Sequence, residues 1–248
     1  MTRYLLVAGA QRCGTTYLHR LLDEHPEIAM ARPARPEPKF FLDPNLFSKG
    51  LDWYEATYFS NAETVPVHGE KSTSYIESAD AVERAASMLP DADVLVMLRD
   101  PVARAISNWR FSTASGFEQR PLDLALKESI GRPRDWDSTT TSVSPFAYLE
   151  RGRYADYLEP WLQRFRRVHL YCLEELAGNA CAVAGMYKAM RVHTAFRPPS
   201  LETVVNAATP LEGEIETSLQ LCLRRYFADS DARLQEMLGR PLPWAGEE

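Results

Sequence analysis

The sequence predicts an α/β fold of three layers, a central parallel sheet flanked by helices. Short continuous apolar runs of strand length alternate with amphipathic segments of helix length, the pattern of a parallel sheet covered on both faces. The clearest run, "DVLVMLRD" at Asp93–Asp100, shows no polar alternation until its end and suits an interior strand. A chain of 248 residues that is 45% hydrophobic and 25% charged can bury one sizeable core, so a single domain over residues 1–248 is expected.

In order, the first strand is expected at about Tyr4–Ala8, and the loop after it opens a helix over Thr15–Glu24. His25-Pro26 closes that helix, because the residue before proline resists the helical region. His19 and His25 flank the helix and are expected to be exposed. "RPARPEP", Arg32 to Pro38, must be a loop. A strand at Val65–Lys71 and a helix over Ala79–Met88 follow. Asp93–Asp100 leads into a helix from Pro101 to about Thr113, with proline in the first turn where it is tolerated. Gly131 to Pro145 is polar, rich in turn residues and without periodicity, and reads as a mobile loop over a site. "YADYLEPWLQRF" reads as a helix and "VHLYCLEEL" as a strand and turn, and a final helix covers about Glu214–Leu238. No internal repeat or low-complexity tail is present.

Composition excludes several partners. A net charge of −6 and a pI of about 5.5 argue against a broad basic surface for nucleic acid. No apolar stretch approaches membrane-spanning length, and "YLLVAGA" is at the short limit for a secretory signal. The four cysteines form no C-x-x-C pair and have no histidine at metal spacing. They are read as reduced thiols, with Cys13 in a loop and the other three buried, and a cytoplasmic location is expected.

The loop after the first strand, "GAQRCGTT" (Gly9–Thr16), has the glycine spacing of a P-loop. Between a strand and a helix it offers backbone N–H groups at a helix N-terminus, where partial positive charge gathers. Gln11, Arg12, Cys13, Gly14, Thr15 and Thr16 are therefore candidate phosphate ligands. A Walker loop places lysine after its second glycine to neutralise the β- and γ-phosphates. Here Thr15 fills that place and Arg12 is the only cation in the loop, so a single phosphate suits it better than a triphosphate. Further on, "LRDPVARAISNW" sets Arg99 at a strand end, where open parallel sheets bind ligands, and Ser107 about two turns along the next helix.

The two elements together resemble sulfotransferases that use 3′-phosphoadenosine-5′-phosphosulfate (PAPS). "EPKFFLDPNLFSKGLDWYEATYF" and "GEKSTSYI" are similar to the carbohydrate-type branch, which includes the heparan-sulfate sulfotransferases and bacterial relatives. "RGRYADYLEPWLQRF" and "NAATP…LGRPLPW" resemble it more loosely, so the likeness runs from about residue 4 to 244. The resemblance implies a P-loop-like fold with PAPS as donor and PAP as product. It makes Glu37 the general base and places Lys71 near donor sulfate and acceptor. It also assigns Arg99 and Ser107 to the 3′-phosphate. A cation must also face the charge that builds at the breaking bond, and Arg12 or Lys71 can supply it. Fixed cations stand where a kinase uses magnesium, so no metal is demanded. Two departures stand out. Arg12 occupies a place where many relatives carry lysine, and no Lys-Gly-Arg loop is evident near the C-terminus; Arg197 and Asn206 in "FRPPSLETVVNAATP" are the candidates there.

The expected function is sulfuryl transfer to a hydroxyl or amine of a small-molecule acceptor, a glycosylated secondary metabolite among the candidates. Oligomeric state is not legible. Other readings stay open. His68 is an alternative base, Lys71 with Glu70 would make an ordinary surface ion pair, and Phe40 and Phe41 suit a core. A P-loop nucleotide kinase or NTPase is disfavoured by Thr15 and by no obvious magnesium-binding aspartate after a strand. A non-catalytic nucleotide-binding module is the remaining alternative.

Overall fold

A computed structural model of the chain describes residues 2–62, 64–132, 134–137, 143–203 and 215–245. Their elements run β1 (Arg3–Gly9), α1 (Thr15–Asp23), β2 (Ile28–Met30), α2 (Pro44–Phe47), α3 (Gly50–Tyr58), β3 (Val67–Lys71), α4 (Ala79–Met88), β4 (Asp93–Leu98) and α5 (Pro101–Ala114). They continue as α6 (Leu122–Gly131), α7 (Ala155–Arg164), β5 (Arg167–Cys172), α8 (Leu173–Leu176), α9 (Ala180–Ala189) and α10 (Thr217–Leu238). The chain forms two compact units, Met1–Leu98 with Tyr157–Val205 and Arg99–Asp156 with Asn206–Glu248.

The first unit holds a five-stranded sheet in the order β2-β3-β1-β4-β5, with every neighbouring pair parallel. β1 is central because "LLVA", Leu5 to Ala8, has no polar side chain and all four residues are fully buried. The same holds for Val94 to Leu98 in β4. From β1 the chain crosses to one side of the sheet, for β2 and β3, and then to the other, for β4. That reversal puts a crevice at the carboxyl end of β1. The Ala10 N–H donates to the Met97 carbonyl at 2.9 Å, tying the start of the glycine loop to β4. Lys71 is paired with Val7 in register, and the Ser72 N–H donates to the Val7 carbonyl at 3.1 Å. The end of β3 is thus fixed beside the same crevice.

The second unit packs α5, α6 and α10 around Val102, Leu126, Tyr148, Leu149, Leu223 and Phe227. Gly152 is required there, since a Cβ would stand 2.7 Å from Phe227 and 3.0 Å from Pro101. Asp100 caps α5 by accepting from the Val102 N–H at 2.9 Å, and Arg224 of α10 grips both Asp100 oxygens at 2.8 Å. Buried Arg104 donates to the carbonyls of Ala147 and Tyr148 and to Asn108 Oδ1. Glu118, also buried, accepts from Arg120 and Tyr148.

Several expectations are corrected. His19 and His25 are buried, not exposed. The His25 Nε2–H donates to the His193 carbonyl at 2.9 Å while Nδ1 accepts from the Glu27 N–H at 3.1 Å, so a neutral ring satisfies both partners. Cys13 and Cys172 are buried, whereas Cys181 and Cys222 are exposed. Gly131 closes α6. The expected loop over a site, 131–145, lies partly outside the described residues. Pro145 at its end is anchored, its carbonyl accepting from Asn108 at 2.9 Å and Ser112 at 2.6 Å.

Candidate active site

The glycine loop follows β1 and turns into α1 through two left-handed residues. Gly14 has φ +83° and caps α1, and a Cβ at that position would meet Leu173 Cδ1 at 2.6 Å. Arg12 has φ +67°, a conformation costing a non-glycine residue on the order of 1–3 kcal/mol. Such strain is retained where a loop must present its backbone in a fixed curl. No side chain caps α1 and no acidic residue stands in its first turn, which leaves the helix terminus electropositive. Thr15 is buried, while Gln11, Arg12 and Thr16 are partly exposed. Gln11 Nε2 donates to Glu77 at 3.3 Å.

The proline-rich loop returns to the end of β3 and sets Glu37 against Lys71. Lys71 Nζ donates to Glu37 Oε1 at 2.5 Å, with both side chains largely buried. Thr73 adds its N–H to Oε2 at 2.9 Å and its hydroxyl at 3.0 Å. Glu37 is therefore no solvated loop charge. It is a carboxylate fixed by an ammonium, an amide and a hydroxyl.

The partner of Lys71 is Glu37; Glu70, expected as a surface ion pair, points the other way and is fully buried. It accepts from Ser72 Oγ at 2.6 Å, Tyr75 Oη at 2.5 Å and Tyr54 Oη at 2.9 Å. Burial pushes the Glu70 carboxyl up, the three hydroxyls pull it back, and the charge of Glu37 raises it further. Burial and then Glu70 push the Tyr54 and Tyr75 phenols well above their usual range. The hydroxyls also accept from the loop, with Lys39 N–H on Ser72 Oγ at 2.8 Å and Phe41 N–H on Tyr75 Oη at 3.0 Å. Glu70 is thus the hub that holds the segment carrying Glu37. Sequence reasoning missed it because its three partners come from α3, the end of β3 and the turn that follows. Phe40 and Phe41 are core, as their side chains suggest.

His68 is buried, with Nδ1 2.8 Å from Glu55 Oε2, Nε2 3.0 Å from the Ala62 carbonyl, and its ring stacked on Phe59. Both nitrogens are already engaged, which leaves neither for an acceptor's proton. His19 on α1 lies within electrostatic reach of the pair. Burial is the main cause of its lowered pKa, and Asp23, Lys71, Arg32 and Glu37 are the charges it feels.

Arg197 is exposed beside Phe196 and Pro198 at a small cleft of about 210 Å³. The turn after it is stitched to α1, since Glu24 accepts from the Ser200 N–H and hydroxyl, and the Tyr17 hydroxyl donates to the Leu201 carbonyl at 2.8 Å. Asn206 lies outside the described residues. In the second unit Arg99 accepts from the Tyr154 hydroxyl on its carbonyl at 2.8 Å, and Ser107 is buried on α5.

A strand–glycine-loop–helix stands at the switch point of a parallel sheet, with a fixed carboxylate–ammonium pair at the same sheet end, an arrangement suited to an anionic ligand. The sequence and fold agree with a particular family. The model of the sulfotransferase domain matches residues 2–177, and the chain belongs to the sulfotransferase family. Over 174 residues it is 32% identical to the human bifunctional heparan sulfate N-deacetylase/N-sulfotransferase 1, covering 68% of this chain and 19% of that protein. Over 161 residues it is 34% identical to the mouse heparan sulfate glucosamine 3-O-sulfotransferase 3A1, covering 64% and 37%. The chain thus spans about a fifth of the length of the first relative. The crystal structure of a sulfotransferase from Alicyclobacillus acidocaldarius superposes with a TM-score of 0.78 at 26% identity, covering 98% of both chains. Among the described residues no helix is long and apolar enough to cross a membrane.

Proposed function

We propose that the chain transfers a sulfuryl group from PAPS to a hydroxyl or amine of a small-molecule acceptor, with Glu37 as general base. The observation that carries this reading is the 2.5 Å contact between Glu37 and Lys71 at the sheet end that also bears the glycine loop. Glu37 takes the acceptor's proton, the acceptor oxygen or nitrogen bonds to sulfur, and the bond from sulfur to the bridging phosphate oxygen breaks. That oxygen keeps the electron pair and the phosphate leaves as part of PAP. The pairing couples two of these events. Once Glu37 is protonated its attraction for Lys71 falls, and the ammonium is released to face charge building on the bridging oxygen. Arg12 supplies the second cation, and Thr15, Thr16 and the backbone from Gln11 to Gly14 hold the 5′-phosphate. Arg99 and Ser107 take the 3′-phosphate. Arg197 and Asn206 remain candidates for that group, and one sulfotransferase domain comprises both units.

Ligand-dependent melting tests the donor. PAP at about 100 times its dissociation constant is expected to stabilise the protein by roughly 2.7 kcal/mol. ADP, and ATP with magnesium, are expected to give little, and Arg99→Ala should lose most of the PAP effect. A larger shift with ATP and magnesium would overturn the reading in favour of a kinase or NTPase. No shift with any of the three would favour a module without this activity.

A further inference from the structure

The amino ends of the strands, away from the glycine loop, border a second cleft. It encloses about 540 Å³ and is lined by Arg3, Arg167 and Arg191 together with Leu51, Met88 and Pro90. That volume falls within the range of small-molecule sites. One wall is apolar, built from α3, the last residue of α4 and the turn before β4. The other wall is cationic.

Two of the three arginines there share one carboxylate. Arg167 Nε and Arg191 Nη2 share one buried carboxylate, Asp93, at 3.1 and 2.7 Å, and His169 Nε2 stands on the same group at 3.0 Å. Arg3 donates to carbonyls instead, those of Met190 at 2.6 Å and Arg191 at 3.2 Å. Glu27 acts on Arg3 from farther away and is occupied by the His193 N–H at 2.7 Å, and Asp91, which also lines the cleft, is exposed. Burial and then the charge of Arg191 weaken Arg3's hold on its proton, against the pull of Asp93 and Glu27. An anion in the cleft would relieve that repulsion, and a guanidinium presents a planar fork that suits an oxyanion.

We propose that this cleft binds a small amphipathic molecule bearing a single oxyanion, a carboxylate or a sulfate ester. Its head meets Arg3 and Arg191 and its apolar body rests on Leu51, Met88 and Pro90. β1 runs for seven residues between this end of the sheet and the glycine loop, roughly 20 Å, so the two sites can be filled together. The cleft is thus a ligand site separate from the glycine loop, and it does not depend on the donor assigned above.

Isothermal titration calorimetry on the full chain, with and without saturating PAP, tests this. The probes are hexyl sulfate, hexanoate, hexan-1-ol and inorganic sulfate. One or both of the organic anions are expected to bind with unit stoichiometry and with an affinity that PAP leaves unchanged, and the tighter of the two identifies the head group. Hexan-1-ol and inorganic sulfate should bind at least ten-fold more weakly. Arg191→Gln, which removes a cation, and Met88→Trp, which fills the apolar wall, should each weaken the anion at least ten-fold while melting stays within a few degrees. Leu51→Trp serves in place of Met88→Trp if that variant does not fold. Hexan-1-ol binding as well as the anions would overturn the proposal, as would displacement by PAP, indifference to both variants, or no saturable binding.

Discussion

Held by an ammonium, an amide and a hydroxyl, Glu37 can act as a base only if one of those partners yields when the proton arrives. Thr73 can stay, because a neutral carboxyl still accepts hydrogen bonds; Lys71 is the partner whose grip depends on charge. Glu37→Gln keeps the shape and both Thr73 contacts but cannot take a proton. It is expected to lower turnover by 10²-fold or more while leaving PAP-induced stabilisation nearly unchanged. Loss of that stabilisation would show that Glu37 organises the loop instead of acting on the acceptor. The same residues show where the sequence was and was not legible. The identity of Glu37 and Lys71 came from their resemblance to a known pattern, since a glutamate in a proline-rich loop has no local signal of burial. Glu70 and His19 gave no signal at all. A charged or titratable side chain reads as solvated until the hydroxyls or helices around it are known.

Among the elements, α10 carries a stored cost. Burial pushes the Asp231 carboxyl up to about 6, and neighbouring Asp100 adds to that rise, while Trp244 Nε1–H at 3.1 Å and Arg224 pull it down. One Asp231 oxygen is buried with no hydrogen-bond partner. Between about pH 4 and 6 the folded protein keeps this proton while the unfolded chain has lost it. The favourable contribution is therefore complete below about pH 4 and disappears as pH rises through 6. Asp231→Asn removes the titration and can still accept from Trp244. Near pH 7.5 the variant is expected to be about 1–2 kcal/mol more stable than the parent, a value reduced for partial exposure. At pH 4 the gain should vanish. Chemical denaturation at the two pH values checks this, and an equal effect at both would show that packing decides. Glu118 in the same unit has the opposite sign. Burial raises it, but hydrogen bonds from Arg120 and Tyr148 outweigh that and hold it down at about 2, so its contribution is complete above about pH 4.5 and is lost as pH falls through about 2.

For the whole molecule, four of the strands were legible as runs of strand length. β1, β3, β4 and β5 fall where the runs of the sequence place them, and proline correctly opens α5. β2, with only Ile28–Met30, is too short for a period to register. α3, α6 and α9 were not anticipated from the sequence. Their helical form is set by tertiary partners and by caps such as Asn179, whose side chain accepts from Cys181 and Ala182 at 3.1 Å. A parallel sheet is assembled from distant segments, so the order β2-β3-β1-β4-β5 has no local signature in the chain. Separation into two compact units has none either, because no linker composition marks the changes at 98/99 and 156/157.

The burial of Cys13 turns the glycine loop into its own clock. Cys181 and Cys222 lie open to a thiol reagent, whereas Cys13 and Cys172 are closed off in the folded chain. Treatment with 5,5′-dithiobis(2-nitrobenzoic acid) should therefore give a fast phase from the two open thiols and a slow phase paced by opening of the structure. If a phosphate closes the loop from Gln11 to Thr16, PAP should retard Cys13 at least ten-fold beyond any change at Cys172. Mass spectrometry of the labelled peptides separates the two. Equal retardation at both sites would mean that the ligand stiffens the whole unit, with no special effect on the loop. An unlabelled native thiol would then report, in seconds to hours, how often the donor loop breathes.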